Sequence, residues 1–191
     1  MTYYKKLIGE RIYLSPKTVS EDEIQKHTEW MNDFEVTDYL SSSRMLYSPV
    51  LEKEWLETTS KDKNDIVFNI IDLETDKLIG SLGLHKINHI DRCAEMGIFI
   101  GDKDYRSHGY GAEAINLIVD FGFNYLNLHS VYLYVLSDNE RAHKCYLKCG
   151  FKDVGCFRDS KFINGKYHDL ICMDILESEF KGDYIKNKVS K

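Results

Sequence analysis

The chain has 191 residues, of which 43% are hydrophobic and 29% charged, with Lys+Arg 25 against Asp+Glu 31. That apolar share supports a packed core and excludes a wholly disordered chain. The net charge of −6 has the wrong sign for a protein built around phosphate backbones, so no nucleic acid is expected as a partner. No run approaches the ~20 apolar residues of a membrane helix. The start, Met1 to Lys6, lacks the apolar stretch of a leader, so a membrane role is not expected either. Cys93, Cys145, Cys149, Cys156 and Cys172 are odd in number and form no C-x-x-C pair, which reads as reduced thiols in a cytoplasmic protein. Cys145 and Cys149 lie one helical turn apart without a companion pair, so packing is favoured over zinc and no metal is expected. With two prolines and no linker or repeat, one domain is expected over residues 1–191, with a tail from about 178.

In chain order, Arg11 to Ser15 alternates as a first strand stopped by Pro16. Ser20-x-x-Glu23 has the form of a capping box and opens a helix with Ile24, His27, Trp30 and Met31 on one face. Ser48-Pro49 sets a second N-terminus, whose helix is expected to bury Leu51, Trp55 and Leu56. Between the two, Ser41 to Arg44 is a polar loop. Three strands follow, Ile66–Ile71, Leu78–His85 and Cys93–Ile100, the first two joined by the turn Asp72 to Asp76. A helix from about Gly109 to Leu126 carries Glu113, Asn116, Asp120 and Asn124 as one narrow solvent stripe. Val131–Leu136 is a strand, and Asn139–Cys149 a second amphipathic helix ended by Gly150 and Phe151. Asn164-Gly165 between alternating runs predicts a type I′ hairpin. The order is β-α-α-β-β-β-α-β-α-β-β, an α/β (α+β) arrangement.

The segment from Gly97-Ile98-Phe99-Ile100 through Arg106-Ser107-His108-Gly109-Tyr110-Gly111 carries the chemistry. A strand that feeds a glycine turn opening a helix forms an anion site, because unpaired N–H groups and the helix dipole converge there. Arg106 and Lys103 add positive charge. The segment lacks G-x-x-x-x-G-K-[ST] and the first glycine of G-x-G-x-x-G, so neither nucleotide fingerprint applies.

With Asn139-x-x-Ala142-x-x-x-Tyr146-x-x-x-Gly150-Phe151 downstream, R-x-x-G-x-G resembles the GNAT superfamily of acyl-CoA N-acyltransferases over nearly the whole chain. The likeness is strongest from Arg92 to Ile175. Within the superfamily the chain is similar to the branch of ribosomal-protein alanine N-acetyltransferases and spermidine acetyltransferases. Ile87-Asn88-His89, Ala94-Glu95, Leu126-Asn127-Leu128 and Ile163-Asn164-Gly165 carry the likeness to the polyamine enzymes.

The resemblance implies a mixed central sheet with splayed fourth and fifth strands and acetyl-CoA as co-substrate. The cofactor arm would pair with the backbone of Gly97, Ile98, Phe99 and Ile100. Its pyrophosphate would rest on the N–H groups of Arg106, Ser107, His108, Gly109, Tyr110 and Gly111, and Asn139 would hydrogen-bond the arm. Tyr146, two turns after Asn139, is expected to protonate the leaving thiolate, and Glu95 is the candidate base or water-relay carboxylate. His85 reads as a histidine facing the same cleft or as a structural one. Cys145, beside Tyr146, has no base next to it, so direct transfer is favoured over an acyl-cysteine.

The implied activity is acetyl transfer to a primary amine of a protein N-terminus or a small molecule. The alternatives are a spermidine-type enzyme and a non-catalytic acyl-CoA-binding module. Tyr39 to Met45 lacks the adjacent glutamates of the polyamine enzymes, and Asp33 and Glu35 are the upstream substitutes. A homodimer is left open.

Overall fold

The computed structural model describes residues 3–40 and 44–187. Eight strands form one mixed sheet in the order β1-β2-β3-β4-β5-β6-β8-β7. They are β1 (Leu7–Ile8), β2 (Ile12–Pro16), β3 (Ile66–Asp72), β4 (Leu78–Asn88), β5 (Cys93–Ile100), β6 (Ser130–Leu136), β7 (Lys152–Ile163) and β8 (Lys166–Leu176). The helices are α1 (Glu21–Met31), the single turn α2 (Phe34–Thr37), α3 (Pro49–Thr59), α4 (Tyr110–Asn124) and α5 (Glu140–Lys148). The expected order is present, with β1 and α2 added. The expected loop over Ser41 to Ser43 lies outside the described residues.

Local chemistry explains the element ends. Ser20, Ser48 and Asn139 cap α1, α3 and α5, each accepting a backbone N–H from the residue three positions on. Helix α5 ends on Gly150 at φ 96°, where Gly150 N–H donates to Leu147 and Phe151 N–H to Tyr146, the double bond of a left-handed cap. Asn164 and Gly165 take φ 50° and 79° between Ile163 and Lys166, the turn expected for a two-residue hairpin.

The sheet has two unlike faces. On one, α4 packs through Ala114, Ile115, Leu117 and Ile118 against Leu82, Leu84, Ala94, Met96 and Val131, all nearly inaccessible. On the other, α1 and α3 cover β3 to β5 only in part. Leu56 is buried as expected, but Leu51 and Trp55 are exposed because their side of α3 lines a cleft rather than the core.

The polar stripe of α4 also differs from expectation. Glu113 accepts the N–H groups of Glu10 and Arg11 and binds the Arg11 guanidinium at 3.0 Å. Asp120 is fully buried and accepts the N–H groups of Tyr184 at 2.6 Å and Ile185 at 3.2 Å. The chain after β8 therefore crosses this helix face, and the acidic residues anchor backbone instead of meeting water. Asp120→Ala leaves buried N–H donors without their carboxylate, so it should cost about 1–3 kcal/mol in chemical denaturation. Amide exchange at Tyr184 and Ile185 should rise with it, and unchanged exchange there would refute the anchoring role.

Candidate active site

The site begins where two neighbouring strands part. Strands β5 and β6 pair in parallel at Cys93, Ala94 and Glu95, opposite Ser130, Val131 and Tyr132, and no further. Strand β5 stays paired to β4 as far as Ile100, and β6 to β8 through Leu136. From Met96 to Ile100, the edge of β5 that faces β6 has no strand partner among the described residues. Exposed edges of this kind accept an added strand or an amide-bearing arm. The expected splay is present.

At the end of β5 a 3₁₀ turn, Lys103–Tyr105, leads into α4. Gly109, the N-cap residue of α4, has φ 87°, a conformation that favours glycine. The N–H groups from Ser107 to Ala112 form no hydrogen bond among the described residues, while Glu113 N–H returns to Gly109. A consecutive row of donors at the start of a 15-residue helix is built for an anion. These groups fit the diphosphate end of a coenzyme, and the free edge of β5 fits its amide arm.

Two expected contributors are engaged elsewhere. Arg106 donates its N–H to Lys103, and its guanidinium bonds the carbonyls of Ile100 at 3.0 Å and Gly101 at 2.9 Å, so it braces the turn. Lys103 pairs with Glu35 at 2.7 Å, which keeps both residues out of the cleft, and Asp33 caps α2. Arg11 was not singled out by sequence reasoning. Its guanidinium binds His108 O at 2.9 Å and stacks on Tyr110 at 4.5 Å, holding the loop from outside. An isolated arginine just before β2 carries no local signal of such a role.

Tyr146 is buried among the core residues beside Phe151, and its hydroxyl makes no hydrogen bond among the described residues. Burial pushes its pKa up, so the hydroxyl holds its proton. Asn139 spends its side-chain oxygen on the Ala142 N–H, which leaves its amide NH₂ as the donor. The Cys145 thiol is drawn down, chiefly because the Cys149 side chain bonds to it, against its burial and with help from Lys148 and Arg141.

On the α1/α3 face a cleft of about 620 Å³ reaches Gly97, Ile98 and Phe99, whose strand edge is free. Phe99 stands edge-on to Trp30 and His27, both at 5.9 Å between centroids. Behind it lies a buried polar group that sequence reasoning did not find. Lys17 Nζ donates to Asn69 at 2.7 Å and lies 3.1 Å from His27 Nε2. Burial lowers Lys17 to about 8, opposed by Glu23 and Glu52. Glu23 is satisfied by Thr18, the Val19 N–H and Asn69, so it does not close the box at Ser20.

Glu52 is the exception. It is 2% exposed and lines the cleft, and its Oε1 lies 3.2 Å from His27 Nδ1 without an aligned hydrogen bond. Burial raises its pKa to about 7, opposed by Lys17 and helped by Glu23. Glu95 instead pairs with Lys86 at 2.8 Å at the sheet surface.

Residues 11–152 match the family described as Acetyltransferase (GNAT) domain. The chain belongs to the GNAT acetyltransferase family. It is 40% identical over 103 residues to a spermidine N(1)-acetyltransferase of Vibrio cholerae, covering 54% of this chain and 59% of that protein. The corresponding Escherichia coli K12 protein is 37% identical over 105 residues, covering 55% and 56%. These alignments span little more than half the length of the curated relatives. A crystal structure of spermidine N-acetyltransferase from Vibrio cholerae in complex with CoA and spermine superposes with a TM-score of 0.81. That match has 29% identity and covers 90% of this chain and 99% of the other. Among the described residues no helix is long and apolar enough to cross a membrane.

Gly111 tests the anion row. A Cβ there meets only Ile100 Cγ1, at 3.8 Å, so Gly111→Asp is expected to fold and to place a carboxylate within the row of free N–H groups. Calorimetric titration should show coenzyme A affinity reduced tenfold or more with an unchanged melting temperature, and wild-type affinity would refute the site.

Proposed function

We propose that this chain is an acetyl-CoA-dependent N-acetyltransferase acting on a small cationic amine. The observation that carries the reading is the meeting of two sites at one strand. The edge of β5 from Met96 to Ile100 is open to a coenzyme arm, and a cleft for the acceptor reaches the same residues. Acetyl-CoA supplies the activated acyl group. The donor row from Ser107 to Ala112 binds its phosphates, Asn139 orients its arm, and Tyr146 gives its proton to the departing sulfur. The thioester carries its own activation, so no metal ion is required.

The acceptor reading rests on charge. Glu23 and Glu52 face one ammonium, Lys17, and only Glu52 is left without an aligned donor. A cationic group on the acceptor would complete it. Spermidine, the substrate in the names of the relatives, has that chemistry, although Tyr39 to Met45 lacks an acidic pair. A panel of spermidine, other diamines, amino sugars and N-terminal peptides, read by release of coenzyme A thiol, tests the class. Peptide preference would favour a protein N-terminus, and no turnover with retained coenzyme binding would favour a binding module. The five free thiols are in keeping with a reducing cytoplasm. A homodimer belongs to the same proposal, and light scattering is its measure.

Glu52 links stability to pH. Its folded pKa of about 7 lies above the ordinary 4.5, so the folded state holds the proton more tightly. Its contribution is fully present below 4.5 and is lost as pH rises through 7, where a charge must be buried. Glu52→Gln should therefore stabilise the free protein by about 1–3 kcal/mol at pH 8, with the gap closing toward pH 4.5. It should also raise the KM for a diamine. A gap independent of pH would refute the burial of a charge.

Tyr146→Phe keeps the packing and removes the acid. Stability should change by less than about 1–2 kcal/mol. Turnover should fall by roughly 10²–10⁴-fold with little change in the KM for acetyl-CoA. Near wild-type kcat in the folded variant would remove Tyr146 from the chemistry.

A further inference from the structure

The geometry points to His85, held by Asp65, as the general base that deprotonates the acceptor amine. This inference rests on the acetyltransferase reading above and assigns a catalytic residue within it.

His85 lies on β4, on the face covered by α1 and α3, and lines the acceptor cleft. Its Nδ1 is 3.0 Å from Asp65 Oδ2. The other carboxylate oxygen of Asp65 accepts the Lys86 N–H at 2.9 Å, so Asp65 is held from two sides. That second bond exists because the register between β4 and β5 slips after His85, with Lys86 at φ 52°. A bulge of this kind re-aims side chains beside functional sites, and a non-glycine residue at positive φ persists only where its surroundings hold it. Here the bulge turns the Lys86 N–H and the His85 ring toward one carboxylate.

The opposite ring nitrogen faces the reaction zone. An ideal Cβ at Gly83 would lie 2.9 Å from His85 Nε2, and one at Gly97 would lie 3.7 Å from it. Gly83 and Gly97 are cross-strand partners. Glycine within a strand is costly and marks a place where something approaches closely. The paired glycines leave room for the imidazole and for an acceptor nitrogen beside it. Gly97 also belongs to the stretch of β5 that lacks a partner on its β6 side.

The carboxylate sets the tautomer. An acceptor-only Asp65 fixes the proton on Nδ1, and Nε2 then presents a lone pair to the cleft. An amine that enters as an ammonium gives one proton to Nε2, and Asp65 stabilises the imidazolium. Both side chains are 30% exposed, so this proton can pass to solvent. The amine nitrogen then bonds to the acyl carbon as the carbon–sulfur bond breaks. The sulfur takes the proton of the Tyr146 hydroxyl, and the second amine proton restores that hydroxyl. One proton is released per acetyl group transferred.

The charged and titratable groups around His85 are Asp65 before β3, the Lys86–Glu95 pair at the surface, Glu52 and Glu54 of α3, and His27 of α1. Glu95 is the cross-strand partner of His85, but its carboxylate is held by Lys86, away from the paired glycines.

The test uses the full chain with acetyl-CoA and spermidine, or the first amine of the panel that is turned over. Wild-type kcat against pH, at an amine concentration that fills the cleft and so keeps Glu52 paired, should show an acidic limb. His85→Gln should remove the limb and lower kcat by roughly 10²–10³-fold, with coenzyme A affinity unchanged in calorimetry. Asp65→Asn should keep a limb, displaced in pH, with a smaller loss of kcat. A His85→Gln variant within threefold of wild type, or loss of the limb in Glu95→Gln instead, overturns the assignment. If no amine is turned over, the acetyltransferase reading fails, and the dyad is judged by ¹⁵N NMR of the imidazole. A proton on Nδ1 in wild type that is lost in Asp65→Asn supports it, and a proton on Nε2 overturns it.

Discussion

The parting of β5 and β6 is the constraint around which the rest of the molecule is arranged. Backbone N–H and C=O groups that leave a ladder need other partners, and a strand whose pairing stops midway is costly to hold open. Here each strand is pinned from its far side, β5 by β4 and β6 along its whole length by β8. Arg106 takes the carbonyls of Ile100 and Gly101 at the end of the open stretch. This explains why the charge of the R-x-x-G-x-G motif points inward: the arginine closes the strand end, and the backbone donors after it stay unpaired among the described residues. Arg11, just before β2, holds the same loop through His108 O and is itself held by Glu113 of α4. The turn is thus fixed by its own Arg106 and, from near the start of the chain, by Arg11.

Elements with local signals were legible in the sequence. Ser20, Ser48, Gly150 and Asn164-Gly165 act within a few residues, so their chemistry is written next to the structure it makes. The run Cys93–Ile100 was read with the bounds it has. The glycine loop, Asn139 and Tyr146 stand out in the sequence because their spacing resembles a family pattern. What could not be read joins positions far apart. Glu23 meets Asn69, Asp120 meets Tyr184, and Glu113 meets Arg11, and a polar residue on an amphipathic helix looks the same whether it faces water or a buried backbone. Leu51 and Trp55 illustrate the converse. Their periodicity marks an apolar face correctly, but it does not say whether that face meets the core or a cleft.

The two faces of the sheet divide the labour between stability and chemistry. The α4 face is nearly all apolar and holds the fold. On the other face, Lys17, Glu23, His27, Asn69 and Glu52 are buried together, an arrangement that apolar side chains of similar volume would often stabilise. Four of the five are well satisfied. Lys17, Glu23 and Asn69 bond one another, and His27, kept neutral first by burial and then by Lys17, sits against the lysine. These contacts leave one carboxylate, on the side that opens to the cleft. An unsatisfied buried acid is destabilising in the free protein, and a ligand that brings a donor removes that cost on binding. Selectivity then follows from the same defect. On the proposed reading, an acceptor without a donor at Glu52 leaves the acid as it was, whereas one with a cationic group gains the difference, so amines are distinguished by what they carry beyond the reacting nitrogen.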